Sequence, residues 1–418
     1  MDYLQRLPTE IWREILRIVR VQHYWSPPRG ITSAGSLVLC FSYGKGDEAD
    51  LYQVQAEFSR LLVLCKRLHP VIEEILWSSI HLILHRVVDG SFERAALGIG
   101  ASGSPRGEKT RELWLAFEHT KYLPPSWKDI YPWSFHKLCP NLRDFSLFNS
   151  NEINYYIQLD RTLEENETAA RWASKIISLS IKKEDIETSD VESLAKYFTS
   201  LRSLAVWVIR WRTPPSKTIT FPALCSLSIS RNRYSIGSIL MKINAPKLEF
   251  LHVESLSIKE DKAKIFEFLS SIKHNITSLS TFGFPFHAKH PSDPSLITVL
   301  ETIPRLRSLA ALVHRVPYEE AMQFDQISTR TTSFSLEELI LLVGVRDGCR
   351  CPACSVKPNE LSEFLLYYLP TDRFPHLKRL VLKTDVSFGD GDRMACLIEA
   401  AKSAMPQAEV EWLQLGED

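Results

Sequence analysis

Pro222-Ala223-Leu224-Cys225-Ser226-Leu227-Ser228-Ile229 is the stretch on which the fold turns. Its apolar residues are spaced as one apolar, two others, one apolar, one other, one apolar. Leu227 and Ile229 alternate with serine, the period of a strand buried on one side. Pro222, which cannot donate to a ladder, suits the approach to such a strand. The same spacing returns at Leu142, Phe145, Leu147, at Leu201, Leu204, Val206, and at Leu248, Leu251, Val253. It returns again at Leu306, Leu309, Ala311, at Leu336, Leu339, Leu341, and at Leu377, Leu380, Leu382. Weaker copies are Ile176, Leu179, Ile181 and Ile276, Leu279, with an early one at Leu113 and Leu115 and a terminal one at Val410 and Trp412. Pro140, Pro246, Pro304 and Pro375 hold the place of Pro222 in their own copies.

Helical periods fill the intervals. Val191, Leu194, Tyr197 and Phe198 make one, and Ile265, Phe266, Phe268, Leu269 and Ile272 another. Leu296, Val299 and Leu300 make a third, and Leu361, Phe364, Leu365 and Tyr368 a fourth. A strand, a loop and a helix every 23 to 41 residues resembles an irregular leucine-rich-repeat solenoid. The resemblance implies an α/β fold over residues 110–418, with parallel strands on the concave face and helices outside. Only Asn232 stands at that family's asparagine position, so the turns must satisfy their backbone groups in another way. An ordinary α/β domain with a parallel sheet is the competing architecture.

The N-terminus carries a second pattern. In Leu7-Pro8-Thr9-Glu10-Ile11-Trp12-Arg13-Glu14-Ile15-Leu16, proline takes the first helical turn, where its missing N–H has no partner to lose. Ile11, Ile15 and Ile18 form one helical stripe, and Trp12, Leu16 and Val19 a second beside it. Together they span an arc of about 160°, wide for burial on one side. Helical spacing resumes at Leu51, Val54, Phe58, Leu61, Leu62, Cys65 and Leu68. Pro70 breaks it, Val71, Ile72, Ile75 and Leu76 continue it, and Trp77 plugs the end. Ile80, Leu82 and Leu84 then alternate as a first strand.

The order Leu7-Pro8, Glu10-Ile11, Ile15-Leu16, Cys65-Lys66, Leu76-Trp77 resembles an F-box. Residues 22–50, rich in Pro and Gly, are an insertion in that pattern. The implied organisation is a helical module over 1–85, a loop or linker over 86–109, and the repeats beyond. The resemblance implies docking on a Skp-type adaptor of a cullin ubiquitin ligase. Leu7, Pro8, Glu10, Ile11, Ile15 and Leu16 match the family's adaptor-contacting segment, and Leu62, Cys65, Lys66 and Trp77 extend it. The alternative is a repeat scaffold or ligand-binding protein whose N-terminal helices only cap the array.

Composition narrows the function. The 418 residues carry 50 Lys and Arg against 50 Asp and Glu, so no global field draws in nucleic acid or an anionic membrane. Charged residues at Arg6, Glu10, Arg13 and Glu14 interrupt any signal-peptide core. No run approaches the roughly 20 apolar residues of a membrane span. Scattered cysteines fit a reducing compartment, cytoplasm or nucleus. The sequons at Asn166 and Asn275 are then chance matches.

Gly98-Ile99-Gly100-Ala101-Ser102-Gly103 has dinucleotide-fingerprint spacing, but that fingerprint needs a strand before and a helix after it. Here a helical stretch precedes and Ser104-Pro105-Arg106-Gly107 follows, so a flexible loop is expected. Cys349, Cys351 and Cys354 offer three thiols where structural zinc takes four ligands, and His376 is the nearest downstream. Cys351 and Cys354 also make a Cys-x-x-Cys pair, as in redox proteins; a plain loop is the third reading. No nucleophile–base constellation stands out, so a non-catalytic chain without cofactor is expected. Its binding surface would be the strand positions that point away from the core, where aromatics and arginines dominate interface energy. Candidates are Trp114, Trp207, Arg210, Trp211, Arg212, His252 and Glu254.

Overall fold

The computed structural model describes residues 69–83, 91–117, 135–149, 163–164, 166–182, 188–206, 217–229, 236–253, 259–281, 296–313, 334–343, 374–385 and 391–415. They form two compact units, one ending at Leu224 and one beginning at Cys225. The class is α/β, with parallel strands and intervening helices.

In the first unit, α1 (His69–Ser78) runs directly into β1 (Ser79–Ile83). After α2 (Ser91–Leu97) come β2 (Glu112–Phe117), α3 (Phe135–Leu138), β3 (Asp144–Asn149) and α4 (Glu167–Ala173). Then follow β4 (Ser178–Lys182), α5 (Thr188–Tyr197), β5 (Ser203–Val206) and the short β6 (Ile219–Thr220). β1 to β5 lie side by side in chain order, each parallel to the last. The ladder therefore starts at Ser79, inside the segment the sequence assigned to the helical module, and not near residue 110.

The second unit repeats the scheme. It contains β7 (Ser226–Ile229), α6 (Ile236–Leu240), β8 (Ile243–Asn244), β9 (Phe250–Val253), α7 (Lys259–Ile272) and β10 (Ser278–Thr281). It continues with α8 (Leu296–Thr302), β11 (Ser308–Val313), β12 (Glu338–Val343), β13 (Arg379–Asp385), α9 (Gly391–Ala404) and β14 (Glu409–Leu415). β7, β9, β10, β11, β12, β13 and β14 neighbour one another in that order, all parallel.

Register explains the repeated spacing. Ile80, Leu113, Phe145, Leu179 and Leu204 are cross-strand partners in one row, and each is buried. Leu227, Leu251, Leu279, Leu309, Leu339 and Leu380 form the same row in the second unit. Two residues on, Leu115, Leu147, Ile181 and Val206, and then Ile229, Val253, Ala311, Leu341 and Leu382, are buried on the same side. A one-residue slip would send every one of these side chains to the opposite face, so the pattern fixes the register. Each fully buried side chain of this size contributes about 1.5–3 kcal/mol of transfer free energy. The weak copies at Ile176 and Ile276 build strands as regular as the strong ones.

In the proline-bearing copies the first apolar residue lies ahead of the strand, at the end of a four-residue turn. The N–H of Leu142 donates to the Cys139 carbonyl, Leu248 to Ala245, Leu306 to Ile303 and Leu377 to Phe374. The proline of each copy is thus the second turn residue, where its fixed φ is favoured, rather than the start of the strand. Past the turn, one carbonyl serves two donors. Arg111 O accepts from Arg143 N and Asp144 N, and Glu249 O from Thr277 N and Ser278 N, at 2.8–3.1 Å. Glu337 O accepts likewise from Lys378 N and Arg379 N. This shared acceptor stitches successive strand starts together, and the Asn141 and Asn275 side chains add bonds to the Glu108 and Pro246 carbonyls.

Residues 91–109 are not the loop expected. Ser91–Leu97 is helical, and Arg106–Lys109 makes one turn of 3-10 helix. The glycine-spaced segment between them does capture an anionic group, but it is the chain's own. Glu73 Oε2 on α1 accepts the Ala101 N–H at 2.6 Å, Oε1 accepts Arg106 Nε at 2.6 Å, and Lys109 Nζ lies 3.6 Å away. A Cβ on Gly100 would meet Glu73 Oε2, and one on Gly107 would fall on the Leu138 carbonyl. The glycines serve close packing, and a nucleotide would have to displace Glu73.

Candidate binding surface

A parallel strand with one face in the core offers the other to a ligand. Here that outward face consists of the residues just before and just after the first buried row. In the first unit the outward rows read Ser79, Glu112, Asp144, Ser178, Ser203 and Trp114, Ser146, Ser180, Ala205. In the second they read Ser226, Phe250, Ser278, Ser308, Glu338, Arg379, Glu409 and Ser228, His252, Ser280, Ala310, Ile340, Val381, Glu411.

Trp114 and His252, both expected from the sequence, hold equivalent outward positions in their units. Trp114 is half-buried. His252 is a less accessible contact than expected, since its Nδ1 is buried and burial pulls the imidazole down to about 4. It is a neutral ring between Ser228 and Ser280 at pH 7. Trp77 ends α1 as a plug: its ring stacks on Phe92 at 6.2 Å, and Phe92 meets Phe135 at 5.9 Å. This aromatic run ties α1, α2 and α3 together, so part of Trp77 packs within the unit. Leu7, Pro8, Glu10, Ile11, Ile15, Leu16, Leu62, Cys65 and Lys66 lie outside the described residues, as do Trp207, Arg210, Trp211, Arg212 and Glu254. The insertion at 22–50, the stretch 361–368, Asn232, Cys349, Cys351 and Cys354 lie outside them too.

The outward face of the second unit changes character along its length. Ser228 and Ser280 give way to Ala310, Ile340 and Val381, an apolar cluster against which Leu413 packs. Beside the cluster runs a charged chain that sequence reading missed. Arg379 Nη2 and Nε fork onto Glu411 at 2.5 and 3.1 Å, and Nη1 reaches Glu338 at 2.7 Å. Ser308 Oγ donates to the other Glu338 oxygen at 2.7 Å. The two carboxylates hold the guanidinium above its usual value against the opposing effect of burial. Only the cross-strand register brings these four residues together, since they are scattered over more than a hundred positions of sequence.

In the first unit the outward face carries an acidic pair. Glu112 and Asp144 are direct cross-strand partners. Burial, with Glu112 adding to it and Arg143 opposing, pushes the Asp144 carboxyl up to about 6. Cys139 is inert: burial raises its thiol to about 12. Both sequon asparagines are structurally engaged. Asn166 Oδ1 caps α4 by accepting Ala169 N, and Asn275 Nδ2 donates to the Pro246 carbonyl.

Among the described residues no group of three His, Cys, Asp or Glu has metal-holding geometry, and no helix is long and apolar enough to cross a membrane. The arrangement is a set of side-chain rows suited to gripping an extended surface. No protein-family model matches the sequence, and no curated relative matches it. A crystal structure of a protein from Bacteroides fragilis aligns with 80% of this chain and 74% of its own, at 12% identity and a TM-score of 0.33.

Proposed function

We propose that this chain is a non-catalytic substrate adaptor of a Skp–cullin–F-box ubiquitin ligase, acting in the cytoplasm or nucleus. In this reading residues 1–85 form an F-box-like module that docks on the Skp-type adaptor. The strands behind it form a leucine-rich-repeat-like solenoid that selects a protein substrate. Catalysis belongs to the partner: the chain holds its target near a charged ubiquitin-conjugating enzyme and raises its effective concentration.

The observation that carries the reading is a juxtaposition. The Leu76-Trp77 pair that closes the F-box-like pattern ends α1, and α1 runs without a break into the first strand of a parallel ladder in chain order. A recruitment segment joined rigidly to a long outward strand face is what such an adaptor needs. The second reading, a repeat scaffold or ligand-binding protein capped by its own N-terminal helices, accounts for the same ladder without the partner.

The test is capture of the purified chain by a Skp-type adaptor, comparing wild type with Ile11→Asp plus Leu16→Asp. The adaptor reading expects capture of wild type and loss in the double variant. Capture of neither, with both chains folded, favours the cap.

A further inference from the structure

On the outward face of the first unit, Glu112 and Asp144 stand opposite each other on neighbouring strands. Like charges so placed repel and weaken the pairing. The rest of their row is Ser79, Ser178 and Ser203, and the row beside it holds Trp114, Ser146, Ser180 and Ala205. Neither row contains a lysine or an arginine. The cations nearest along the chain are Arg111 and Arg143, each just ahead of one acid and both exposed; Arg111 Nη1 donates to the Asn141 carbonyl, and Arg143 offsets the pair only in part.

A second observation comes from the adjoining strand. Ser180 is 6% exposed, and its Oγ is buried without a hydrogen-bond partner. It lies on the same face, diagonal to Asp144 through the Asp144–Ser178 and Ser146–Ser180 pairings. Buried hydroxyls are normally paired. Ser228 and Ser280 in the matching row of the second unit are unpaired too, and Ser180 differs from them in lying beside an acidic pair, where a polar ligand could use it.

The second unit supplies the template for what such a row accepts. There Arg379 lies between Glu338 and Glu411 on neighbouring strands, and Ser308 completes the Glu338 carboxylate. The first unit presents the same ingredients, two carboxylates and serines, together with the half-buried indole of Trp114. A planar guanidinium both forks onto carboxylates and stacks on indole, which an ammonium does less well.

We propose that Glu112, Asp144, Trp114 and Ser180 form a docking site for an arginine side chain carried on an extended segment of a partner protein. Glu112 is exposed and Asp144 half-buried, so the pair is open to a side chain arriving across the strands. That the segment belongs to ubiquitination cargo rests on the adaptor reading above; the binding itself does not.

The test uses the full chain and a library of nonapeptides randomised at every position. Panning is expected to enrich peptides that share one arginine. By fluorescence anisotropy, replacing that arginine with neutral, isosteric citrulline should weaken the selected peptide by about tenfold or more. Glu112→Gln plus Asp144→Asn should remove the preference while leaving the thermal midpoint no lower than wild type, because the repulsion is gone. Absence of arginine enrichment, or equal affinity for the citrulline peptide, overturns the site. Adaptor capture measured on the same preparation separates the two ideas. Capture without arginine preference defeats this site alone, and arginine preference without capture defeats the ligase reading and leaves the site standing.

Discussion

Glu73 and Arg106 meet at 2.6 Å across 33 residues of sequence, on a carboxylate whose side chain is 4% exposed. Burial alone would raise that carboxyl, but the Arg106 hydrogen bond, the Ala101 N–H and Lys109 outweigh it and leave it below its usual value. A buried carboxylate that gives up this set leaves a guanidinium and an amide N–H without their acceptor. Glu73→Ala is therefore expected to cost about 2–3 kcal/mol in urea unfolding at pH 7. The folded pKa is depressed, so the stabilisation is present above the unfolded value of 4.5 and is lost as pH falls through the lower folded value. Glu73→Gln should flatten that acid limb. An unchanged limb would show that Glu73 is not the group responsible.

Arg379 is a single cation shared by two acids, with 13% of its side chain exposed and Glu338 at 12%. Replacing it with methionine keeps much of the stem and leaves both carboxylates facing each other across β13. The expected cost is about 2–3 kcal/mol, below the usual range for a fully buried pair because Glu411 is 33% exposed. Adding Glu338→Gln and Glu411→Gln should recover at least half of that loss. A cycle of chemical-denaturation midpoints checks it: strictly additive losses would mean the three residues do not act together.

Asp144 has the opposite sign. Burial and Glu112 raise its carboxyl from 3.8 to about 6, so the fold holds the proton more tightly than the unfolded chain does. The fold bears the cost of ionised Asp144 in full above about pH 6, less as pH falls from there to 3.8, and not at all below. Allowing for solvent screening, that cost is about 1 kcal/mol. Asp144→Asn should thus be more stable than wild type by that amount at pH 7.5, with the gap closing by pH 4. A pH-independent gap in the thermal midpoints would place the repulsion elsewhere.

Why some of this was readable and some not follows from how far apart the deciding residues lie. Leu227, Leu251 and Leu309 announce their strands because alternation is local, and Trp114 and His252 fall on the outward face by the same rule. Helices α3, α4 and α6 have 4, 7 and 5 residues, too short to display a helical period. The order within 91–109 depends on Glu73, distant in sequence, so the local composition of glycine and serine reads as loop. Glu112 opposite Asp144, and Arg379 between Glu338 and Glu411, exist only once strands are aligned, and no spacing within a strand encodes that. The proline assignment missed by a few residues, because the buried residue ahead of each proline was not counted in the repeat. Cys139, Phe221, Ala245, Ile303, Phe374 and Met405 all hold that place, each 0–1% exposed.

That turn makes a directional test of the repeat, since two copies form it without the proline. In one, Leu201 N donates to Phe198 O, with Thr199 as second turn residue. The approach matches the proline-bearing copy at Ile303: Phe198 N donates to Leu194 O at 3.0 Å, as Ile303 N donates to Val299 O at 3.0 Å. Thr199→Pro should therefore fit without strain and stabilise by about 0.5–1 kcal/mol, through lost freedom of the unfolded chain. In the other copy, Ile176 N donates to Ala173 O, but Ser174 N is itself engaged with Ala170 O at 3.1 Å. Ser174→Pro removes that bond and drives the ring toward the helix, so it should destabilise by about 2 kcal/mol or more. Thermal midpoints of the two variants, measured side by side, decide the matter. Shifts of the same sign would mean that the Ser174 N–H bond to Ala170 O does not decide whether this turn accepts proline.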